Sequence, residues 1–288
     1  MQSKASGQLT DVVFVVHGIR TYANWIQPLT VKLTAKRPNC RVVDAGYGYF
    51  STLNFLLPWS RQKKMAEFTD RYMVNLANHL SLPRYAVAHS FGTYVVARSL
   101  AEHPKMSFEK IYFAGSVLPR EFPWYTGDGR LGIIPHRLKW LRNDCSVNDW
   151  PVGFLCSALH SLGQNQLGTG GFRGFVHAEN DSMVQLKEYF PGGHSAPLDD
   201  QENLETICEY LFTAAPSAMA KAQPKPLSRS ERLLNWSSEK AAVIAVVIVA
   251  SLLMVGPSPT WYFTGSLFLA LLAFAVVVLS VFWFLNSF

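Results

Sequence analysis

From Ala241 to Phe288 the chain carries no Asp, Glu, Lys or Arg. A core helix of a globular domain rarely lacks charge on every face, so this absence argues against an ordinary globular ending. Cysteine is sparse too: Cys40, Cys145, Cys156 and Cys208 are scattered, with no C-x-x-C pair and no histidine at metal-ligand spacing. That excludes a zinc module or disulfide scaffold and predicts reduced, buried thiols in a domain with no metal and no cofactor. The net charge of +6 is not gathered into a basic stripe with interleaved aromatics, so no nucleic-acid partner is expected. The opening residues MQSKASGQLTD lack the apolar core of a signal peptide, which predicts a body that folds in the cytosol. Internal repeats and low-complexity tracts are also missing.

What is present divides into a charged body, residues 1–212, a segment 213–240 rich in Ala, Pro, Ser and Lys, and the charge-free tail 241–288. In the body, Asp11 to Val16 is a continuous apolar, β-branched run, which suits a strand covered on both faces. Further strands are expected at Cys40 to Ala45, Tyr85 to Ala88, Phe108 to Ala114, Arg137 to Leu141 and Ser182 to Phe190. Helices are expected at Trp25 to Ala35, Gln62 to Leu80, Gly92 to about His103, Val152 to Leu162 and Asn203 to Leu211. This alternation predicts an α/β fold with a mostly parallel sheet of about six strands. Gly46 to Leu57 reads as an aromatic loop beside the site, either receiving an acyl chain or packing as a plain cluster. Leu118 to His136 reads as a lid or a surface connection, and Arg142 to Asp149 as a polar segment after a strand.

The chemistry centres on Arg84 to Ala97, RYAVAHSFGTYVVA. An alcohol is a weak nucleophile at neutral pH and needs a base and a backbone that thrusts its oxygen outward. A strand, a tight turn at His89-Ser90-Phe91 and a helix supply that backbone, with Ala88 and Gly92 as the small residues that let strand and helix approach. The spacing is that of G-x-S-x-G with alanine in the first place. After the first strand comes His17-Gly18-Ile19-Arg20, a turn at the carboxyl end of the sheet. The amides of Ile19 and Phe91 are assigned to an oxyanion hole, with His17, Gly18, His89 and Gly92 supporting the site. His194, after the last strand in a glycine-flanked turn, is the candidate base. A carboxylate between Ser90 and His194 must orient it. Asp149 is preferred, Asp144 is the runner-up and Asp181 is third.

HGIR after the first strand, AHSFG at the turn, an Asp in a late loop and Gly-Gly-His near the end of the body resemble the α/β-hydrolase superfamily. The likeness is closest to its lipase and esterase branches, including the small PGAP1-like serine esterases, and covers roughly Asp11 to Phe212. It implies a compact α/β-hydrolase fold lacking the early edge strands of larger members, and a serine hydrolase with Ser90, His194 and Asp149 as its triad.

In the tail, Ala241 to Val255 and Trp261 to Phe288 are apolar and separated by Gly256-Pro257-Ser258-Pro259-Thr260. A membrane span needs about 20 residues, which the second segment supplies outright and the first only with its flanks. Trp261, Tyr262 and Trp283 suit interfacial belts, while Lys221, Lys225, Arg229, Arg232 and Lys240 precede the first segment. The expectation is a two-helix transmembrane hairpin with the body and the C-terminus in the cytosol; the alternatives are a re-entrant hairpin and a buried helical pair. The bilayer is then the expected partner, and a lipid or acylated ester or thioester the expected substrate. A different class of function also fits: the hairpin perturbs the membrane, as in a toxin or defence effector, while the body senses or switches. A scaffold with a degenerate site is a third reading.

Overall fold

The structure is a computed structural model, and it describes residues 8–19, 24–46, 50–124, 137–176, 183–213, 228–241 and 243–244. Six strands, β1 (Asp11–Val16), β2 (Cys40–Asp44), β3 (Arg84–His89), β4 (Phe108–Ala114), β5 (Leu138–Ser146) and β6 (Met183–Phe190), form one sheet in the order β2-β1-β3-β4-β5-β6. Every pairing in it is parallel. The chain therefore starts near one edge, steps to that edge and returns past β1, so the carboxyl ends of β1, β3, β4 and β5 lie side by side.

Helices α1 (Ile26–Lys36), α2 (Thr52–Leu56), α3 (Pro58–Asn78) and α4 (Phe91–Glu102) fill the first half. After β5 come a π-helical turn, Pro151–Cys156, then α5 (Ser157–Ser161) and α6 (Gly170–Arg173). After β6 come α7 (Ala196–Asp199), α8 (Gln201–Phe212) and α9 (Arg229–Glu239). Because strand side chains alternate, Val12, Phe14 and Val16 enter one core with Met65, Phe68 and Tyr72 of α3 and Tyr94, Val95 and Leu100 of α4. Val13 and Val15 enter the other with Leu29 and Leu33 of α1 and Leu204, Ile207 and Leu211 of α8. Both faces of β1 are consumed, which is why all six of its residues are buried. All four cysteines are buried, and none is in a disulfide.

Several expectations change. The Gly46 to Leu57 segment contains α2, whose N-cap Ser51 accepts from Asn54 N–H (3.2 Å), and its Phe50 and Phe55 serve the core, while residues 47–49 lie outside the described set. Phe50 stacks on Phe91 at 4.7 Å and Phe55 meets the same ring edge-on at 5.6 Å, with both side chains buried. The first part of the expected lid is core as well: Leu118, Phe122 and Trp124 are buried, and residues 125–136 lie outside the described set. β5 runs on to Ser146, through residues expected to form a polar loop, because the Arg142 guanidinium and the Asp144 carboxylate neutralise each other inside the fold (2.7 Å). Within 213–240, read as a linker, Ser228 and Glu231 make a reciprocal capping box that starts α9. Among the described residues no helix is long and apolar enough to cross a membrane. The expected hairpin falls almost wholly on residues outside the described set.

Candidate active site

β3 is buried along its whole length and ends at His89, so the turn that follows is fixed by the sheet rather than by solvent. Ser90 has φ 55° and ψ −126°, and among the described residues no other non-glycine has a positive φ. Strain of this kind persists only where surrounding contacts over-determine it. Three such contacts are visible. Ser90 N–H donates to the Ala114 carbonyl on β4 (3.0 Å). A Cβ on Gly92 would fall 2.3 Å from the Val16 carbonyl oxygen, so helix and strand close to a distance only glycine permits. A Cβ on Gly18 would fall 2.4 Å from the Cβ of Ser90, which seats the turn after β1 directly against the serine side chain. Ser90 also occupies the N-cap of α4, yet its hydroxyl makes no capping bond. Serine at this position ordinarily caps its helix. Here the carbonyl does the local work instead, accepting from Thr93 N–H (3.0 Å) and the Thr93 hydroxyl (2.7 Å).

His194 and Asp149 meet beside this elbow. The His194 Nδ1–H donates to Asp149 Oδ2 at 2.8 Å; the carboxylate is fully buried and the imidazole partly exposed. The other oxygen, Asp149 Oδ1, accepts from Val152 N–H (3.1 Å) at the start of the π-helical turn, and the Asp149 carbonyl accepts from Gly153 N–H (2.8 Å). The His194 ring rests on Gly115, where a Cβ would lie 2.6 Å from its Cε1. Gly115 follows Ala114, whose carbonyl holds the Ser90 amide, so serine and imidazole are anchored one residue apart on the end of β4. Asp144 points into a different network. It binds Arg142 through both oxygens (2.9 and 2.7 Å), accepts from Tyr112 O–H (2.7 Å), and receives Asn203 of α8 at 3.3 Å. Asp181 lies outside the described residues.

Of the supporting residues, Gly18 and Gly92 have the packing roles just given. Ile19 packs against the core at the end of the first turn, and Phe91 heads α4 with its ring between Phe50 and Tyr94. His17 Nδ1 lies 2.8 Å from the Gly18 carbonyl, and its ring abuts Gly46 beyond β2. Gly115 and Gly171 have the same tight-approach role and escaped notice in the sequence. A Cβ on Gly171 would meet Ser116 N at 1.9 Å, a contact across many residues that no local pattern records. Among the described residues no group of three or more His, Cys, Asp and Glu is placed to hold a metal ion.

His89 is fully buried and its ring centre lies 4.7 Å from that of His194. Its Nε2–H donates to the His194 carbonyl (3.3 Å), while Nδ1 is buried without a hydrogen-bond partner. Burial first, and then the neighbouring His194, hold its pKa well below the ordinary histidine value. The unfolded chain therefore binds a proton near pH 6.5 that the folded chain refuses. Stability from this group is complete above that pH and is lost as pH falls through it, by up to about 1.4 kcal/mol per pH unit. His89→Gln keeps a donor and removes the titration. Urea melts between pH 7 and pH 5 should show a shallower loss for the variant; equal slopes would mean that His89 is not the buried neutral group.

No protein-family model matches the chain, and no curated protein matches it. Similar solved structures exist. A putative cell surface hydrolase from Lactobacillus plantarum WCFS1 is 13% identical over 80% of this chain and 98% of its own, with a TM-score of 0.45. A putative hydrolase of the alpha/beta superfamily from Xanthomonas campestris pv. campestris is 11% identical over 70% and 99%, with a TM-score of 0.41. A cutinase-like protein from Cryptococcus sp. is 11% identical over 69% and 91%, with a TM-score of 0.40. Likenesses this distant leave the chemistry to be read from the side chains themselves.

Proposed function

We propose that this chain is a serine hydrolase of the α/β-hydrolase type, tethered to a membrane by residues 241–288 and cleaving an ester or thioester of a lipid or acylated substrate. The observation that carries the reading is the uncapped, strained Ser90 beside a His194 whose Nδ1–H is already committed to a buried carboxylate. That commitment leaves Nε2 as the basic nitrogen.

In the proposed reaction Ser90 Oγ attacks the acyl carbon and its proton passes to His194 Nε2. The developing imidazolium is stabilised by Asp149, and the negative oxygen by the amides of Ile19 and Phe91 at the N-terminus of α4. The bond to the leaving oxygen or sulfur then breaks, and His194 returns the proton to it. Water, deprotonated by the same imidazole, repeats the attack on the acyl-enzyme; the bond from the acyl carbon to Ser90 Oγ breaks, His194 returns the proton to Oγ, and the acid is freed. Placement of the four groups at the carboxyl ends of neighbouring parallel strands suits this division of labour.

The test is covalent labelling of the full chain by a fluorophosphonate, with Ser90→Ala as the control, alongside hydrolysis of a short-chain ester. Labelling that depends on Ser90 is expected. Its absence sinks the hydrolase reading. A cellular phenotype that survives Ser90→Ala but not removal of residues 241–288 would instead favour the membrane-effector reading, to which the charge-free tail is equally suited.

A further inference from the structure

The reaction makes no use of α9, yet its sequence and its seating are both specific. Its inner side is glued to the body immediately beyond the Asp149 loop. Leu234 packs on the main core, and Ser238 and Ala241 are buried. The Ser157 hydroxyl donates to the Ser238 carbonyl (2.7 Å), and Arg173 donates to the Asn235 carbonyl (3.0 Å) and reaches Glu239 (3.4 Å). The outer side carries Arg229, Arg232, Leu233 and Trp236, which at 3.6 residues per turn fall within about 100° of arc, and Lys240 and Val243 follow just past its last residue, Glu239. All six are exposed, Leu233 at 64%, Trp236 at 54% and Val243 at 65%. Neither acid of the helix falls inside this arc: Glu231 closes the capping box, and Glu239, exposed at the edge of the arc, reaches Arg173.

The result is a stripe on α9 with two cations, an exposed indole and an exposed leucine and no carboxylate within it, continued past the helix end by exposed Lys240 and Val243. Such a face suits the boundary between headgroups and acyl chains, where Arg and Lys meet anionic lipid and Trp and Leu enter the acyl edge. The chain also continues from Lys240 straight into the stretch that has no charged residue as far as Phe288. We propose that α9 lies along the surface of an anionic bilayer with this stripe in the headgroup layer. The body is thereby held in one orientation, with the π-helical turn that follows Asp149 next to the lipid. This rests on the membrane part of the proposed function and not on the serine chemistry.

The experiment uses the full chain reconstituted in phosphatidylcholine vesicles with and without phosphatidylglycerol. The emission lost on Trp236→Phe isolates this indole from the other tryptophans. It is expected to be quenched by lipids brominated near the headgroup end of the acyl chain, and to be shielded from aqueous iodide, when phosphatidylglycerol is present. Reversing charge in Arg232→Glu should expose it to iodide and slow hydrolysis of a vesicle-borne ester about five-fold, with a soluble short-chain ester unaffected. Quenching of Trp236 by iodide in bound wild-type protein overturns the proposal. So does shielding from both quenchers, which would mean that a second copy or residues 245–288 cover the stripe. Carbonate extraction separates the two levels: chain washed from the vesicles sinks the membrane reading as a whole, whereas chain retained with Trp236 in water sinks only the role of α9.

Discussion

Ser90→Gly is expected to lower kcat for ester hydrolysis by about 10⁴- to 10⁶-fold while making the protein more stable. The loss follows from deleting the proposed nucleophile, since the remaining groups would supply only binding and the proposed oxyanion hole. The gain follows from the backbone. A side chain at φ 55° and ψ −126° carries about 1–3 kcal/mol of strain, which glycine does not feel, against about 0.5–1 kcal/mol of extra chain entropy to be fixed. A net gain near 1 kcal/mol would raise the melting temperature by about 2–4 °C for a body of this size. Ser90→Ala separates the two effects, being equally inactive but still strained. Calorimetry of the pair decides the matter, and a Gly variant that melts below the Ala variant would show that the elbow stores no strain.

The two carboxylates after β4 should fail in opposite ways. Asp149→Asn presents an amide where the His194 Nδ1–H needs an acceptor, and the wrong tautomer becomes available; kcat should fall by about 10⁴-fold with stability changed by only about 1 kcal/mol. Asp144→Asn removes the carboxylate that the buried Arg142 guanidinium binds through two nitrogens, which should cost about 3–5 kcal/mol. The molecules that still fold should turn over at close to the wild-type kcat. Active-site titration with a fluorophosphonate normalises for folded protein, and urea melts give the stability. The reverse pattern would reassign the acid to Asp144.

β1, β3 and β4 are legible in the sequence because both of their faces are covered, so each carries an unbroken apolar run, Val12 to Val16, Tyr85 to Ala88 and Ile111 to Ala114. The elbow is legible because the close approach of α4 to β1 requires a small residue at Gly92. The two aspartates are not separable by sequence. Both follow the apolar start of β5, and what distinguishes them is Tyr112 on one strand, Asn203 on a distant helix and the His194 turn. For the same reason β5 reads too short: a buried Arg142 looks like the start of a loop until its partner is seen. The π-helical turn at Pro151–Cys156 does not follow a 3.6-residue period and hides inside an ordinary helical expectation. α9 had a local signal in Ser228-x-x-Glu231, outweighed by the Ala, Pro and Ser content of its surroundings.

The buried cysteines have a kinetic consequence. Burial pushes the Cys40 thiol up to about 12 and the Cys208 thiol up to about 11, and it raises Cys156 as well. Only the thiolate reacts, so an alkylating reagent meets almost none of it until the surrounding layer opens. Cys40 and Cys208 belong to the layer of α1 and α8, and Cys156 to the layer beside the elbow. The order in which these sulfurs are trapped is therefore a built-in clock that times the opening of each side of the sheet separately.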